Sequence, residues 1–267
     1  MSRISDKLRE LKEKNEVALI PYIMAGDPDL KMTEKLILEI EKSGGDMIEL
    51  GVPFSDPLAD GPTIQRAAIR ALAGKVSLSQ VIRLVADVRR KTELPIILML
   101  YYNLVHRYGE GRFVKDAVKA GVDGVIIPDL PPDEAGGLVK EARAADLDVV
   151  FLLAPTSSND RISLVDRMSS GFIYYVSLTG VTGARESLDK GIKAQVEKIR
   201  RISKKPVCVG FGISKPEQAK KVAGWADGVI VGSAIVGLIE KSENRESMAG
   251  KVGGFVRSLK DAVLTGE

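Results

Sequence analysis

Glu49 places a carboxylate inside an otherwise apolar run, Asp46-Met47-Ile48-Glu49-Leu50-Gly51. An ionised group buried alone in such surroundings is costly, so Glu49 is either satisfied by backbone N–H groups or a basic partner, or kept for proton transfer. Burial raises a carboxyl pKa toward neutrality, where the group can both give and take a proton. The loop that follows, Gly51-Val52-Pro53-Phe54-Ser55-Asp56-Pro57-Leu58-Ala59-Asp60-Gly61-Pro62-Thr63, adds two acids and three prolines that restrict its backbone. Asp60 has two readings here: a cap for a helix starting at Pro62, or a second carboxylate turned toward Glu49.

Glycine-rich turns form a second group. Gly210-Phe211-Gly212-Ile213-Ser214, Gly232-Ser233-Ala234 and Ser177-Leu178-Thr179-Gly180-Val181-Thr182-Gly183 each follow an apolar run. Glycine lets backbone N–H groups approach an anion, and a helix N-terminus favours negative charge. One such turn is weak evidence, since turn glycines are common; three in succession point to a phosphate. Tyr22, Met99, Tyr101, Asn103, Ile126, Asp129, Leu152 and Tyr174 also fall at or near the ends of apolar runs. Together they give the flat, mostly apolar surfaces of a small-molecule pocket, although any one of the apolar members could be plain core.

The elements that must position these residues alternate. Short apolar runs at Val17–Ile23, Asp46–Leu50, Pro95–Leu100, Gly124–Ile127, Val149–Leu153, Phe172–Val176, Pro206–Val209 and Gly228–Val231 are separated by amphipathic, Lys/Glu-rich segments. Runs without polar alternation belong to strands covered on both faces, hence to a parallel sheet wrapped by helices. Helical patterns cover Thr33–Ser43, Pro62–Ala73, Ser77–Thr92, Gly111–Ala120, Pro132–Ala145, Asn159–Ser169, Lys190–Ser203, Lys215–Ala223, Ala234–Lys241 and a segment near Val252–Leu264. An open doubly wound sheet shares this alternation. The clustering of unusual residues just after the strands favours an α/β, single (β/α)8 barrel, with its site at the C-terminal strand ends. It carries an extra N-terminal helix, Ser2–Lys14, over the barrel bottom and an extra helix after strand two. No linker divides residues 1–267, so one domain is expected.

Composition excludes several classes. With 39 basic and 36 acidic residues and no basic stripe, nucleic acid is not an expected partner. One cysteine and one histidine leave no metal-ligand cluster; Cys208 reads as a small buried hydrophobe and His106 as a loop residue. Gly109-Glu110-Gly111 reads as a turn. The charged N-terminus lacks the apolar core of a signal peptide and no run is long enough to span a bilayer, so a cytoplasmic protein is expected.

The run Glu49 to Gln65 closely resembles the signature of the tryptophan synthase α-subunit family, and the likeness extends over essentially the whole chain. Pro21-Tyr22-Ile23-Met24-Ala25-Gly26-Asp27-Pro28 is similar to that family's first strand and loop, Gly180-Val181-Thr182-Gly183 to its mobile loop, and Gly210-Phe211-Gly212 with Gly232-Ser233 to its phosphate cradle. The resemblance implies retro-aldol cleavage of indole-3-glycerol phosphate to indole and glyceraldehyde 3-phosphate, without a cofactor in this chain. It implies Glu49 as proton carrier, Asp60 as acceptor of the indole N–H and Tyr174 as their orienting neighbour. Tyr22, Met99, Ile126, Leu152 and Thr182 would bind substrate, and Gly183, Gly212, Gly232 and Ser233 its phosphate. A pyridoxal-phosphate β-subunit, in an αββα complex, would receive indole across Asp56, Pro57, Asn103, Asp129 and Pro131. A stand-alone indole-releasing lyase, or a weakly active allosteric partner of the β-subunit, are the alternatives. Tyr22 stands where the family often has phenylalanine, and Leu178-Thr179 where a basic-containing pair is more common.

Overall fold

The structure, a computed structural model, describes residues 2–176, 185–210, 212–242 and 244–265, with backbone alone for 185–190. The apolar runs form strands β1 (Ala18–Met24), β2 (Ile48–Gly51), β3 (Ile96–Met99), β4 (Gly124–Ile126), β5 (Asp148–Val150), β6 (Leu152–Leu153), β7 (Ile173–Val176), β8 (Val207–Gly210) and β9 (Gly228–Val231). All pair in parallel, in the order β5-β4-β3-β2-β1-β9-β8-β7-β6. The two ends of that order are halves of one segment separated only by Phe151, so the sheet closes into the (β/α)8 barrel. The expected continuous fifth strand, Val149–Leu153, is therefore two. At the break the Phe151 N–H donates to Ser169 Oγ at 3.2 Å, while its carbonyl accepts from the Tyr174 N–H at 3.2 Å. The segment ladders with β4 before this point and with β7 after it.

Around the barrel run α1 (Arg3–Glu13), α2 (Leu30–Lys42), α3 (Pro62–Ala73), α4 (Leu78–Arg89), α5 (Tyr102–Tyr108), α6 (Glu110–Ala120), α7 (Gly136–Ala144), α8 (Asn159–Met168), α9 (Arg185–Ile202), α10 (Pro216–Ala223), α11 (Ser233–Glu240) and α12 (Arg245–Leu264). Among the described residues, no helix is long and apolar enough to cross a membrane. The extra helix after strand two is present, α3 and α4 both lying between β2 and β3. Three local expectations need correction. His106 lies in α5, a helix too short for periodicity to reveal. Glu110 and Gly111 open α6 rather than a turn, because Gly109, at φ +88°, ends α5 and caps α6 within one residue. The C-terminal helix starts at Arg245, where Asn244 accepts the Glu246 N–H at 2.7 Å. Gly250, Gly253 and Gly254 mask that start, since glycine lowers helix propensity.

In an eight-stranded barrel of this tilt, the level shifts by about one residue per strand. Applied to the observed registers, this puts Glu49, Ile126, Tyr174 and Ile230 in one inward layer of four. Tyr22, Met99, Leu152 and Gly210 form the layer toward the C-terminal mouth; Ile20, Ile97, Val150 and Cys208 the layer beneath. At the bottom Ile4, Leu8 and Leu11 of α1 join this inner core and seal it. The helices pack on the outward strand residues, such as Leu19, Ile48, Leu98 and Val209.

The barrel bottom uses aspartates in a repeated way. Each accepts an amide at the start of the neighbouring strand: Asp46 accepts Leu19 N–H, the second amide of β1, at 2.7 Å, while Asp123 accepts Ile96 N–H and Asp227 accepts Val207 N–H, each at 2.8 Å. Each also meets a cation: Lys260 at 2.9 Å from Asp46, Arg89 at 2.7 Å and Arg3 at 3.0 Å from Asp123, and Arg200 at 2.9 Å from Asp227. These carboxylates are fully employed in closing strand ends. Asp123→Ala leaves the buried Ile96 amide without its acceptor and the mostly buried Arg89 guanidinium with carbonyl acceptors only, its carboxylate partner gone, and is expected to cost about 3 kcal/mol in urea unfolding. A loss under about 1 kcal/mol would mean that both groups find other acceptors.

Candidate active site

The inner layers open at the C-terminal mouth into a cavity of about 190 Å³. Its wall brings together Glu49, Asp60 and Tyr174 with Tyr22, Met99, Ile126 and Leu152, and reaches Gly212, Gly232 and Ser233 at its far side. Residues named from sequence, from Tyr22 to Ser233, thus face one space. Thr182 and Gly183, with Leu178-Thr179, lie outside the described residues. Ile213 and Ser214 of the glycine turn after β8 line the cavity with Gly212, whereas Ile64 and Ile230, which also line it, are not among the expected site residues. Ile230 was within reach of the sequence, since strand alternation places it inward two residues after Gly228. Ile64 was not, because nothing in a helical pattern says which apolar residue turns toward a neighbouring loop.

Glu49 arrives there because β2 has period two: Ile48 and Leu50 face the helices, so Glu49 and Gly51 face the barrel axis. It is 2% exposed, and among the described residues no donor hydrogen-bonds its carboxylate. Two glycines keep the space around it open to aromatic rings. A Cβ on Gly51 would sit 2.1 Å from the Tyr22 hydroxyl, and one on Gly210 would sit 2.5 Å from that of Tyr174. Any side chain at either position would evict the ring.

Asp60 does not cap α3. Gly61 is the N-cap, with no side-chain hydrogen bond, and Pro62 follows at the first helical position. The loop carrying Asp60 is held by Tyr101, whose hydroxyl accepts the Ala59 N–H at 3.0 Å and whose ring stacks on Phe54 at 5.1 Å. The same phenol lies beside the Asp60 side chain and acts to lower its pKa.

Burial pushes Glu49 up to about 8, and the nearby charge of Asp60 adds to the effect. Asp60 rises to about 6, chiefly through burial, with the Tyr101 phenol acting in the opposite direction. Asp60 ionises first, against a neutral Glu49; Glu49 must then ionise beside a charged Asp60. Near pH 7 the cavity holds one carboxylic acid and one carboxylate, a division suited to acid and electrostatic roles. The phenols of Tyr22 and Tyr174 are pushed well above their ordinary value, first by burial and then by the carboxylates, so both stay protonated.

On the far side, Gly232 caps α11 without a side-chain bond, leaving the Ser233 and Ala234 amides at a helix N-terminus. Asp56 and Asn103 lie exposed, and Pro57 and Pro131 half-buried, on the segments after β2, β3 and β4. Asp129, also exposed, accepts the Tyr102 N–H at 2.8 Å, which joins two of these segments. Leu58, 94% exposed, stands on the same rim. Among the described residues, no group of three or more His, Cys, Asp or Glu is arranged to hold a metal ion.

The family model for the tryptophan synthase alpha chain matches residues 8–264. The tryptophan synthase alpha chain of Geotalea uraniireducens (strain Rf4) is 56% identical over 263 residues, covering 98% of each chain. That of Geobacter sp. (strain M21) is 52% identical, covering 100% of this chain and 99% of the relative. Among solved structures, tryptophan synthase subunit alpha from Legionella pneumophila str. Paris superposes with a TM-score of 0.92 at 41% identity, covering 98% of both chains. A chain of the aminoacrylate-bound tryptophan synthase from M. tuberculosis gives a TM-score of 0.87 at 33% identity, covering 98% of this chain and 100% of that one.

The Glu49 environment makes a stability prediction. Its folded pKa of about 8 lies above the ordinary 4.5, so its favourable contribution is complete below about pH 4.5 and is lost as pH rises through 8. Glu49→Gln carries no such loss. Its stability relative to the parent is expected to grow between pH 4.5 and 8, reaching about 4 kcal/mol in denaturant titrations. A difference independent of pH would show that Glu49 ionises normally.

Proposed function

The chain belongs to the tryptophan synthase alpha chain family, and on that premise we propose how its residues divide the family's reaction. The reaction is cleavage of indole-3-glycerol phosphate to indole and glyceraldehyde 3-phosphate, a carbon–carbon lyase step in tryptophan biosynthesis. The bond to be broken joins indole C3 to a carbon bearing a hydroxyl. Its electrons need a sink, and protonation of C3 supplies one, because the ring becomes an indolenine cation. The protonated Glu49 gives that proton. The resulting carboxylate then takes the proton from the side-chain hydroxyl as the aldehyde forms, which returns Glu49 to its starting state.

Asp60, ionised at neutral pH, accepts the indole N–H. Its attraction strengthens as positive charge develops on the ring, so it favours the transition state over bound substrate. Tyr174, a layer-mate of Glu49, fixes the acid's orientation by packing. Tyr22, Met99, Ile126 and Leu152 form the apolar slot for the flat ring. Gly212, Gly232 and Ser233 hold the phosphate with the α11 amides, joined by Gly183, and Thr182 binds the substrate. The observation that carries this reading is the pair of carboxyl groups, Glu49 buried and Asp60 half-buried, facing one cavity that ends at a helix N-terminus.

Indole passes to a β-subunit that carries pyridoxal phosphate, within an αββα complex in the cytoplasm. Asp56, Pro57, Asn103, Asp129 and Pro131 form the face that meets it. A leucine as exposed as Leu58 on that rim favours this assembly over a stand-alone lyase, since the contact would bury it.

The test is indole release by the purified chain, with and without a β-subunit. Glu49→Gln is expected to lose at least about 100-fold in kcat; release at the parental rate would remove Glu49 from the mechanism. In the parent, kcat/KM should rise as pH passes about 6, where Asp60 ionises, and fall as it passes about 8, where Glu49 loses its proton. Asp60→Asn should abolish the acid limb and, by removing a neighbouring negative charge, move the alkaline limb to lower pH. An unchanged profile in that variant would assign the limbs to other groups.

A further inference from the structure

Asp60 and the phosphate cradle stand at the starts of two different helices, α3 and α11, so catalysis needs a fixed distance between them. Apolar packing brings the helices together: Ile64, Ala67, Ala68 and Ala71 of α3 meet Val236 of α11 and Tyr22 and Met24 of β1. Such contact is non-directional, and the alanines offer little that would stop one helix sliding along the other. A chain of forked ion pairs supplies the missing register. The Arg70 guanidinium donates through Nε and Nη2 to the two oxygens of Asp27, each at 2.8 Å, and through Nη1 to Glu240 at 2.8 Å. Glu240, the last residue of α11, also receives Arg66 Nε at 2.7 Å and Nη2 at 2.8 Å. Asp27, 1% exposed, lies in the loop after β1, the strand that bears Tyr22.

We propose that Arg70 is a positioning residue for cleavage of indole-3-glycerol phosphate: by tying the loop after β1, α3 and α11 to one guanidinium, it sets the span between Asp60 and the phosphate cradle to the length of one substrate. The proposal rests on the assignment of Asp60 to the indole end and of Gly232 and Ser233 to the phosphate end. Planarity is what the role requires, because only a fork can hold two carboxylates in fixed directions. The link also persists across the working range: Arg66, then Arg70, hold the Glu240 carboxyl down to about 2, far below the values at which Asp60 and Glu49 titrate.

A residue that sets a span differs measurably from one that merely adds stability. Arg70→Lys keeps the charge and loses the fork; Glu240→Gln leaves the Arg70–Asp27 pair intact and weakens only the tie to α11. For each, kcat on indole-3-glycerol phosphate would be compared with the calorimetric affinities for indole and for glycerol 3-phosphate offered separately. Both variants are expected to lose about 10-fold or more in kcat while each fragment binds as in the parent, because both ends are intact and only their spacing has changed. The double variant should be no slower than Arg70→Lys alone, as expected of residues acting through one link. If Arg70→Lys does not fold, Glu240→Gln carries the comparison by itself. Parental kcat in the variants, or a loss of glycerol 3-phosphate affinity that matches the loss of kcat, would overturn the proposal. A parent that cleaves no indole-3-glycerol phosphate would overturn the functional assignment on which it rests.

Discussion

Desolvation of one carboxyl group governs this structure. Glu49 shares its layer with Ile126, Tyr174 and Ile230, beneath Tyr22, Met99 and Leu152 and above Ile20, Ile97, Val150 and Cys208. Water is kept from the group below by the barrel core and by the plug of α1. Raising an acid toward pH 8 needs that dryness more than it needs any partner, because the largest cause of the shift is burial and the charge of Asp60 comes second. The apolar core therefore serves the chemistry directly as well as the fold. Sealing the barrel bottom with Ile4, Leu8 and Leu11 belongs to the same requirement.

Residues of one chemical type are treated in opposite ways at the two ends of the barrel. At the N-terminal end Asp46, Asp123 and Asp227 each receive a backbone amide and a cation, so their charge is compensated. At the other end, among the described residues, Glu49 receives neither. A carboxylate paired in this way stiffens strand ends; an unpaired one lowers stability and, as at Glu49, holds a proton near neutrality. The first arrangement stabilises a scaffold able to tolerate the second.

Much of this was legible in the sequence, for reasons that differ by residue. Glu49 stood out because a charge breaks an apolar strand, and period two fixed the face it occupies. The glycine turns after β8 and β9 stood out because only a particular backbone need places glycine so regularly at strand ends. Conversely, the split of the fifth strand depends on Ser169 reaching the Phe151 amide across 18 residues, a tertiary contact with no local signature. Helix α5 has one buried side chain, Val105, too little to set a period. The aspartates at the barrel bottom were visible as letters, but their role appears only when a strand from elsewhere in the chain offers an amide at its start.

Asp60 shows how local backbone chemistry released a residue for the site. Sequence alone left it between a helix cap and a catalytic carboxylate, and the choice turns on what the start of α3 demands. Pro62 has no N–H to satisfy and its fixed φ already suits the first helical position, so the helix begins without a side-chain cap at Gly61. With that demand removed, the Asp60 carboxylate can face the cavity, and Tyr101 lies beside it and holds the preceding amide in place. Asp60, half-buried and with the Tyr101 phenol acting to lower its pKa, stays below the more deeply buried Glu49 in the order of ionisation. The proline and the glycine thus free Asp60 for the cavity, and the deeper burial of Glu49 leaves it the one that holds the proton.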